Sequence, residues 1–228
     1  MGGVSTTQPV LALTVDDGPD VVATPLFLAS LARHGMRATF FVLADRAEAH
    51  PELIGEILAG GHELALHGAG HVDLPAANLR EVIRCVAGGR RRLERLAGVA
   101  VRLFRPPFGH QDLRSYLVAR VCRMTPVAWS AQGDDWLPLS PSSMVERVWS
   151  RADRGGIVLA HDGLAPPDDS GASSSAEDRA LAFAMLLERM AQAGWTGVSV
   201  GGLLRRGHRT GFPWFEDGHR AATVTAGD

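Results

Sequence analysis

Short apolar, β-branched runs alternate with amphipathic stretches along this chain. The strand-like runs are "VLALTV", "ATFFVLA", "HELALH", "VRLFR", "PVAWSA", "GIVLAH" and "GVSV". Between them lie helix-like stretches that carry their own end signals. "VATPLFLASLARHG" closes on Gly35, and "HPELIGEILAGG" has Pro51 in its first turn and glycine at its end, the usual polarity of a helix. "NLREVIRCVAGGRRRLERLAG" is long, studded with arginine and interrupted by Gly88-Gly89. "SPSSMVERVWSRADRGG" offers Ser140 as an N-cap before Pro141, and "SAEDRALAFAMLLERMAQAG" places acids early and a base late, which suits the helix dipole. Strands alternating with helices of this size predict βαβ units and a parallel sheet. Seven runs leave two architectures, an open doubly wound sheet or a barrel. There is no internal repeat and no interior linker. "APPDDSGASSSAED" reads as a poorly ordered loop near the working end, and "AATVTAGD" as a tail.

Composition narrows the function classes. The 228 residues fit one large domain, because α/β barrels run beyond 200 residues as single units. A net charge of −2 gives no electrostatic reason to expect nucleic acid or a membrane surface as partner. All 23 basic residues are arginine. That excludes a Schiff-base lysine and a Walker P-loop with its phosphate-binding lysine. Cys85 and Cys122 form no C-x-x-C pair and read as buried thiols. No basic segment followed by an apolar one opens the chain, and no apolar run is long enough to span a bilayer. The expected location is cytoplasmic.

In parallel α/β folds the working residues gather where the strands end. The first run ends in Asp16 and Asp17, the third in His67 with His71 four residues on, and the fourth in Arg105. The fifth leads into Asp134, Asp135 and Trp136, and the sixth ends in His161. Five strands thus deliver ionisable groups to one rim. Two histidines and a carboxylate suit a divalent metal that keeps a position open. Gly68 and Gly70 argue for a turn that folds both imidazoles toward one point. His34, His50, His62, His208 and His219 read as structural, as does His110, though it lies nearest the rim. Asp20 reads as a cap for the next helix.

These stretches resemble, in order, the motifs of the NodB-like polysaccharide deacetylase family, carbohydrate esterase family 4. "TVDDGPD" matches T-F-D-D-G-P, "HGAGH" matches H-[ST]-x-x-H, "RPPF" matches R-x-P-[YF], "QGDDW" matches D-x-x-D-W, and "LAH" matches L-x-H. The resemblance spans about Leu11 to Asp162, and the helix and strand beyond, to about Leu204, suit the rest. It implies an α/β fold, a single-domain distorted (β/α) barrel with seven strands, as a catalytic domain over 8–205 and a C-terminal tail over 206–228. It implies that Asp17, His67 and His71 hold a divalent metal, zinc by preference with cobalt or nickel able to substitute. By the same resemblance Asp16 is the base toward metal-bound water, Arg105 pairs with Asp16, and His161 is the acid charged and oriented by Asp135. The Phe108 backbone N–H serves the oxyanion, and Trp136 is part core and part pocket wall.

The chemistry is coherent on physical grounds. A metal lowers the pKa of bound water and polarises an acyl oxygen. A positioned carboxylate completes the deprotonation. An amine leaving group needs a proton, and a histidine partnered by a carboxylate supplies one. The implied activity is removal of an N-acetyl group from an N-acetylated amino sugar, as polymer, oligomer or small conjugate, by a metal-dependent hydrolase of non-peptide carbon–nitrogen bonds. The implied partner is that substrate, with no nucleic acid or membrane. Two alternatives stand beside it: the same chemistry on a non-sugar amide of a biosynthetic intermediate, and a metal-binding pseudoenzyme or sugar-binding module. Two positions depart from the family pattern. Gly68 replaces the Ser/Thr of the histidine motif, so the metal loop is expected to be held less firmly. Gln132 replaces the first Asp of D-x-x-D-W, while Asp135 is retained.

Overall fold

The computed structural model describes residues 1–164 and 173–211. In chain order it forms β1 (Gly3–Ser5), β2 (Val10–Asp16), α1 (Ala23–Arg33), β3 (Ala38–Leu43), α2 (Ala44–Ala49), α3 (Pro51–Ala59) and β4 (Glu63–Gly68). Next come α4 (Leu79–Ile83), a π turn (Arg84–Gly88), α5 (Gly89–Ala97), β5 (Leu103–Phe104), α6 (Leu113–Val121), β6 (Thr125–Pro126) and β7 (Ala131–Gln132). The last elements are α7 (Pro141–Arg151), β8 (Ile157–His161), α8 (Ala176–Gln192), β9 (Thr196–Val198), α9 (Val200–Leu204) and β10 (His208–Thr210).

The sheet runs β6-β5-β4-β3-β2-β8-β7, with β9 paired to the start of β2. All these pairings are parallel. The sheet curls into a distorted (β/α) barrel, which selects the barrel over the open doubly wound sheet. The seven expected runs appear as eight strands because "PVAWSA" divides into two short pieces, β6 and β7. β1 and β10 pair antiparallel as a separate ribbon, so residues 208–210, in the stretch read as a tail, have a partner. The "AATVTAGD" segment and residues 165–172 of the "APPDDSGASSSAED" loop lie outside the described residues. No helix of the described residues is long and apolar enough to cross a membrane.

Every residue of β2 is buried, as expected of a central parallel strand covered on both faces. Alternation then sorts its side chains. Leu11, Leu13 and Val15 join the core between sheet and helices, with Phe27, Phe40, Leu66 and Phe104. Ala12 belongs to the smaller core inside the barrel, with Phe41, Ala65, Leu103 and Ile157. Counting in twos along each inner face leads to Asp16 on β2, His67 on β4, Arg105 after β5 and His161 on β8. The strand period thus carries these four into the barrel mouth.

Several local signals appear as expected. Ser140 accepts from Ser143 N at 3.3 Å to cap α7. Asp20 Oδ1 accepts from Val22 N at 2.9 Å and Ala23 N at 2.8 Å ahead of α1. The Gly88-Gly89 pair behaves differently from the expected interruption. The helix passes through it by a π turn, a feature that accommodates an extra residue in the hydrogen-bond ladder. Gly89 is needed there, because a Cβ at this position would stand 2.8 Å from Ala69 N in the loop after β4. The short helix α2, which carries Arg46, was not among the helical stretches expected from the sequence.

Candidate active site

Asp16, Asp17, His67, His71, Phe108, Trp136 and His161 line one cleft of about 420 Å³ at the strand ends, within the usual range for a small-molecule site. Arg105 and Asp135 stand behind it, bonded to Asp16 and His161.

Asp16 and Asp17 are adjacent, so a straight strand would send them to opposite faces. Asp17 instead takes a left-handed conformation, φ 74°, which a short polar residue tolerates better than most. The chain therefore turns at Asp17 itself, one residue earlier than the Gly18-Pro19 pair suggests. Gly18 serves a close approach, since a Cβ there would lie 2.3 Å from the Asp162 carboxylate. Arg46 Nη1 donates to the Asp17 carbonyl at 3.0 Å and fixes the turn from outside.

Asp17 Oδ1 lies 3.2 Å from His67 Nε2 and 3.5 Å from His71 Nε2. One ligand atom from each of the three falls within 4.8 Å of the others. His67 Nδ1 sits 2.8 Å from the Arg105 carbonyl. That oxygen only accepts, so Nδ1 carries the proton and Nε2 presents its lone pair to Asp17. Burial pushes the His71 imidazole down to about 4, with Asp17 opposing, so His71 is neutral at physiological pH. Burial alone would raise Asp17, but the imidazoles around it, His67 nearest, hold it well below the ordinary carboxylate range. Asp17 Oδ1 and His71 Nδ1 are buried without a hydrogen-bond partner. An orphaned buried carboxylate oxygen between two imidazole nitrogens is what a cation would satisfy. The donor set, two imidazoles and one carboxylate, fits a divalent metal such as zinc.

Two cationic groups flank this cluster. Arg105 is fully buried and donates from Nη1 to Asp16 Oδ1 at 2.7 Å and to Thr14 Oγ1 at 2.8 Å. Its Nε and Nη2 reach the Val127 and Ala128 carbonyls, and its guanidinium lies 4.3 Å from the Phe41 ring centre. A buried charge is tolerated when paired and hydrogen-bonded, and here each of the three guanidinium nitrogens has a partner. Opposite, His161 Nδ1 lies 2.7 Å from Asp135 Oδ1, and its backbone N–H donates to Asp135 Oδ2 at 2.8 Å. Burial works against charge on His161, but Asp135, aided by Asp17 and Asp16, raises it to about 9. The imidazole is therefore charged at neutral pH, with Nδ1 donating to Asp135. Trp136 meets the His161 ring edge-on at 5.7 Å.

Phe108 turns the loop after β5 with φ 59°, and its ring packs 4.1 Å from His71. Gly68 adopts φ 124°, and a Cβ there would stand 2.8 Å from Cys85 Sγ and 2.9 Å from the Gly70 carbonyl. The hydroxyl missing at Gly68 has local substitutes. Cys85 Sγ reaches the Gly70 carbonyl at 3.5 Å, and its own carbonyl accepts from Ala69 N at 2.9 Å. Gln132 bridges Trp129 Nε1 and Asp134, donating to Asp134 Oδ1 at 2.8 Å. Asp134 is held by Arg147 at 2.5 Å, a structural role.

The sequence reading singled out neither Trp129 nor Asp162. Trp129 lines the cleft; an aromatic residue near the end of the "PVAWSA" run was the available signal. Asp162 is fully buried, accepts from Thr24 Oγ1 at 2.5 Å, and is raised by burial to about 7. Only the packing of β8 against the Asp17-Gly18 turn marks it. His110 also lines the cleft, with Nδ1 3.2 Å from Asp73 Oδ1.

Comparison with known proteins gives a consistent set of matches. The family model described as polysaccharide deacetylase matches residues 3–127. A chitooligosaccharide deacetylase of Sinorhizobium fredii is 35% identical over 178 residues, covering 78% of this chain and 83% of that protein. A peptidoglycan-N-acetylglucosamine deacetylase of Bacillus cereus is 30% identical over 207 residues, covering 90% and 92%. Among solved structures, a peptidoglycan N-acetylglucosamine deacetylase crystallised with 4-naphthalen-1-yl-N-oxidanyl-benzamide superposes with a TM-score of 0.79. It is 25% identical, over 91% of this chain and 94% of that one.

Proposed function

The chain belongs to the polysaccharide deacetylase family, and on that premise we propose that it is a metal-dependent hydrolase that removes the N-acetyl group from an N-acetylated amino sugar. The observation that carries this reading is one cleft holding three elements. They are the Asp17–His67–His71 cluster, the Asp16–Arg105 pair and the His161–Asp135 pair. A site that only binds has no use for both a proton acceptor and a proton donor.

Asp17, His67 and His71 would hold the metal. When bound, it supplies Lewis acidity toward water and the acyl oxygen. Asp16, paired with Arg105 at 2.7 Å, takes a proton from the water that attacks the acyl carbon. Such a positioned base contributes about 10²–10⁴-fold. The charge developing on the acyl oxygen is met by the backbone N–H of Phe108. His161 donates its Nε2 proton to the departing nitrogen as the carbon–nitrogen bond breaks, and Asp135 stabilises the imidazolium that precedes this step. Acetate and the free amine leave. Trp129, Trp136 and Phe108 offer apolar walls against which a sugar ring packs.

The test is acetate release from N-acetylglucosamine oligomers, a single N-acetylglucosamine conjugate and a non-sugar acetanilide. It is run after chelation and again after adding zinc. Turnover of the sugars, lost on chelation and restored by zinc, is expected. Turnover of the acetanilide alone would replace the sugar with a non-sugar amide. No turnover with stoichiometric metal bound would leave a pseudoenzyme.

A further inference from the structure

The net charge of −2 conceals an uneven distribution. Residues 79–123 hold eleven arginines against three carboxylates, and the other 183 residues hold twelve arginines against twenty-two carboxylates. The segment comprises α4, the π turn, α5, β5 and α6; of its arginines, Arg105 is buried against Asp16, and Arg90, Arg92 and Arg114 pair with carboxylates. α6 lies beside the α4–α5 helix and runs the same way. Arg114 Nη2 donates to the Pro75 carbonyl before α4 at 3.0 Å, and Arg90 Nη1 donates to the Cys122 carbonyl after α6 at 2.7 Å.

The inner faces are ordinary. Val82, Cys85 and Val86 join the core from one helix, and Ala119 from the other. The outer faces are not. Leu79 and Ile83 on α4 are 51% and 42% exposed, and Leu113, Leu117 and Val121 on α6 are 59%, 50% and 82% exposed. Spacing by four places each set in one stripe. Arg80, Arg84, Arg114 and Arg120 are exposed among them. Arg114 pairs with Asp112, but no ion pair engages Arg80, Arg84 or Arg120 among the described residues.

Exposed aliphatic stripes on two neighbouring helices mark an interaction surface. A second copy of this chain would set arginine against arginine. A soluble polyanion would use the arginines and leave the aliphatic tips in water. An anionic bilayer satisfies both, since guanidinium groups meet the headgroups while short aliphatic side chains enter the acyl boundary. We propose that the outer face of α4 and α6 docks this protein onto anionic phospholipid membranes. The loops that lead into these helices leave the cleft at His71 and Phe108.

Sedimentation of the full chain with vesicles tests this. The expected result is binding to vesicles containing phosphatidylglycerol and not to phosphatidylcholine alone, weakened by salt. Replacing Arg80, Arg84 and Arg120 together with Gln should weaken binding by about a hundredfold, taking about 1 kcal/mol per arginine at the surface. Leu117→Ser with Val121→Ser should weaken it about tenfold or more at unchanged charge. Binding to dextran sulfate without binding to vesicles would overturn the proposal in favour of a polyanion. A dimer dissociated by the serine pair, without vesicle binding, would overturn it in favour of self-association. The readout involves no turnover, and acetate release from a soluble oligomer should be unchanged in both variants. Failure here therefore leaves the deacetylase reading intact.

Discussion

Replacing Asp135 with Asn isolates the charge that activates His161. In the native site both carboxylate oxygens face donors, the imidazole Nδ1–H at 2.7 Å and the His161 backbone N–H at 2.8 Å. Burial opposes a charged imidazole and Asp135 overcomes it, raising His161 from 6.5 to about 9. Without the carboxylate, burial prevails and the imidazole titrates at or below its ordinary value of about 6.5. At about pH 8 the protonated fraction falls from about nine-tenths to about three per cent, so kcat/KM for acetate release should fall about thirtyfold or more. Near pH 6 both forms are largely protonated, and the difference should shrink. The alkaline limb of the pH profile should move from about 9 to about 6.5 or lower.

Stability should follow the same charge. The folded value lies above the unfolded one, so the contribution is fully present below about pH 6.5 and is lost as the pH rises through about 9. A displacement from 6.5 to about 9 corresponds to about 3 kcal/mol. Urea unfolding of Asp135→Asn should therefore show a penalty greater by about that amount near pH 6 than near pH 10. A hydrogen-bond penalty of about 1–3 kcal/mol should persist at both, because no orientation of the amide accepts from both donors. Titration of the His161 ring by NMR, assigned with a His161→Gln variant, gives the value directly. An alkaline limb that stays near 9 in Asp135→Asn, with a stability penalty independent of pH, would refute the reasoning.

Three further outcomes are expected. Asp17→Asn and His71→Ala should each purify without stoichiometric metal, as read by elemental analysis; tight binding in either would remove that residue from the ligand set. Asp16→Asn should retain metal but lose about 10²–10⁴-fold in kcat. It should also lose about 3–5 kcal/mol of stability, because Arg105 is left buried and unpaired; near-normal turnover would end its assignment as base. Gly89→Ala should reverse the usual sign of a helical glycine replacement. The gain of about 1 kcal/mol should give way to a loss of about 1–3 kcal/mol and weaker metal binding, because the added methyl meets Ala69 N at 2.8 Å. A more stable variant with unchanged metal affinity would show that the helix does not press on the metal loop.

The alternation of strand and helix was legible because apolar periodicity survives in any parallel α/β chain. The strand-end positions of Asp16, His67, Arg105 and His161 were legible for the same reason. The division of "PVAWSA" into β6 and β7 was not, since β-branched and aromatic character says nothing about where pairing breaks. Helix α2 has a small, polar sequence with no apolar stripe, and only its contacts with neighbouring elements stabilise it. Asp162 and Trp129 gave weak local signals. One is held by Thr24 on α1, and the other matters because the strands curl.

By itself, the sequence determined which residue types end the strands and, through the two-residue period, that four of them share the inner face. It could not determine that Asp17 leaves that period, which requires a left-handed turn stabilised by Arg46 from α2. Nor could it determine that a π turn and Gly89 bring Cys85 and a helix backbone against the loop between His67 and His71. Those decisions depend on contacts between residues far apart along the chain. The periodicity of a segment reports its own faces, and only folding decides what each face meets.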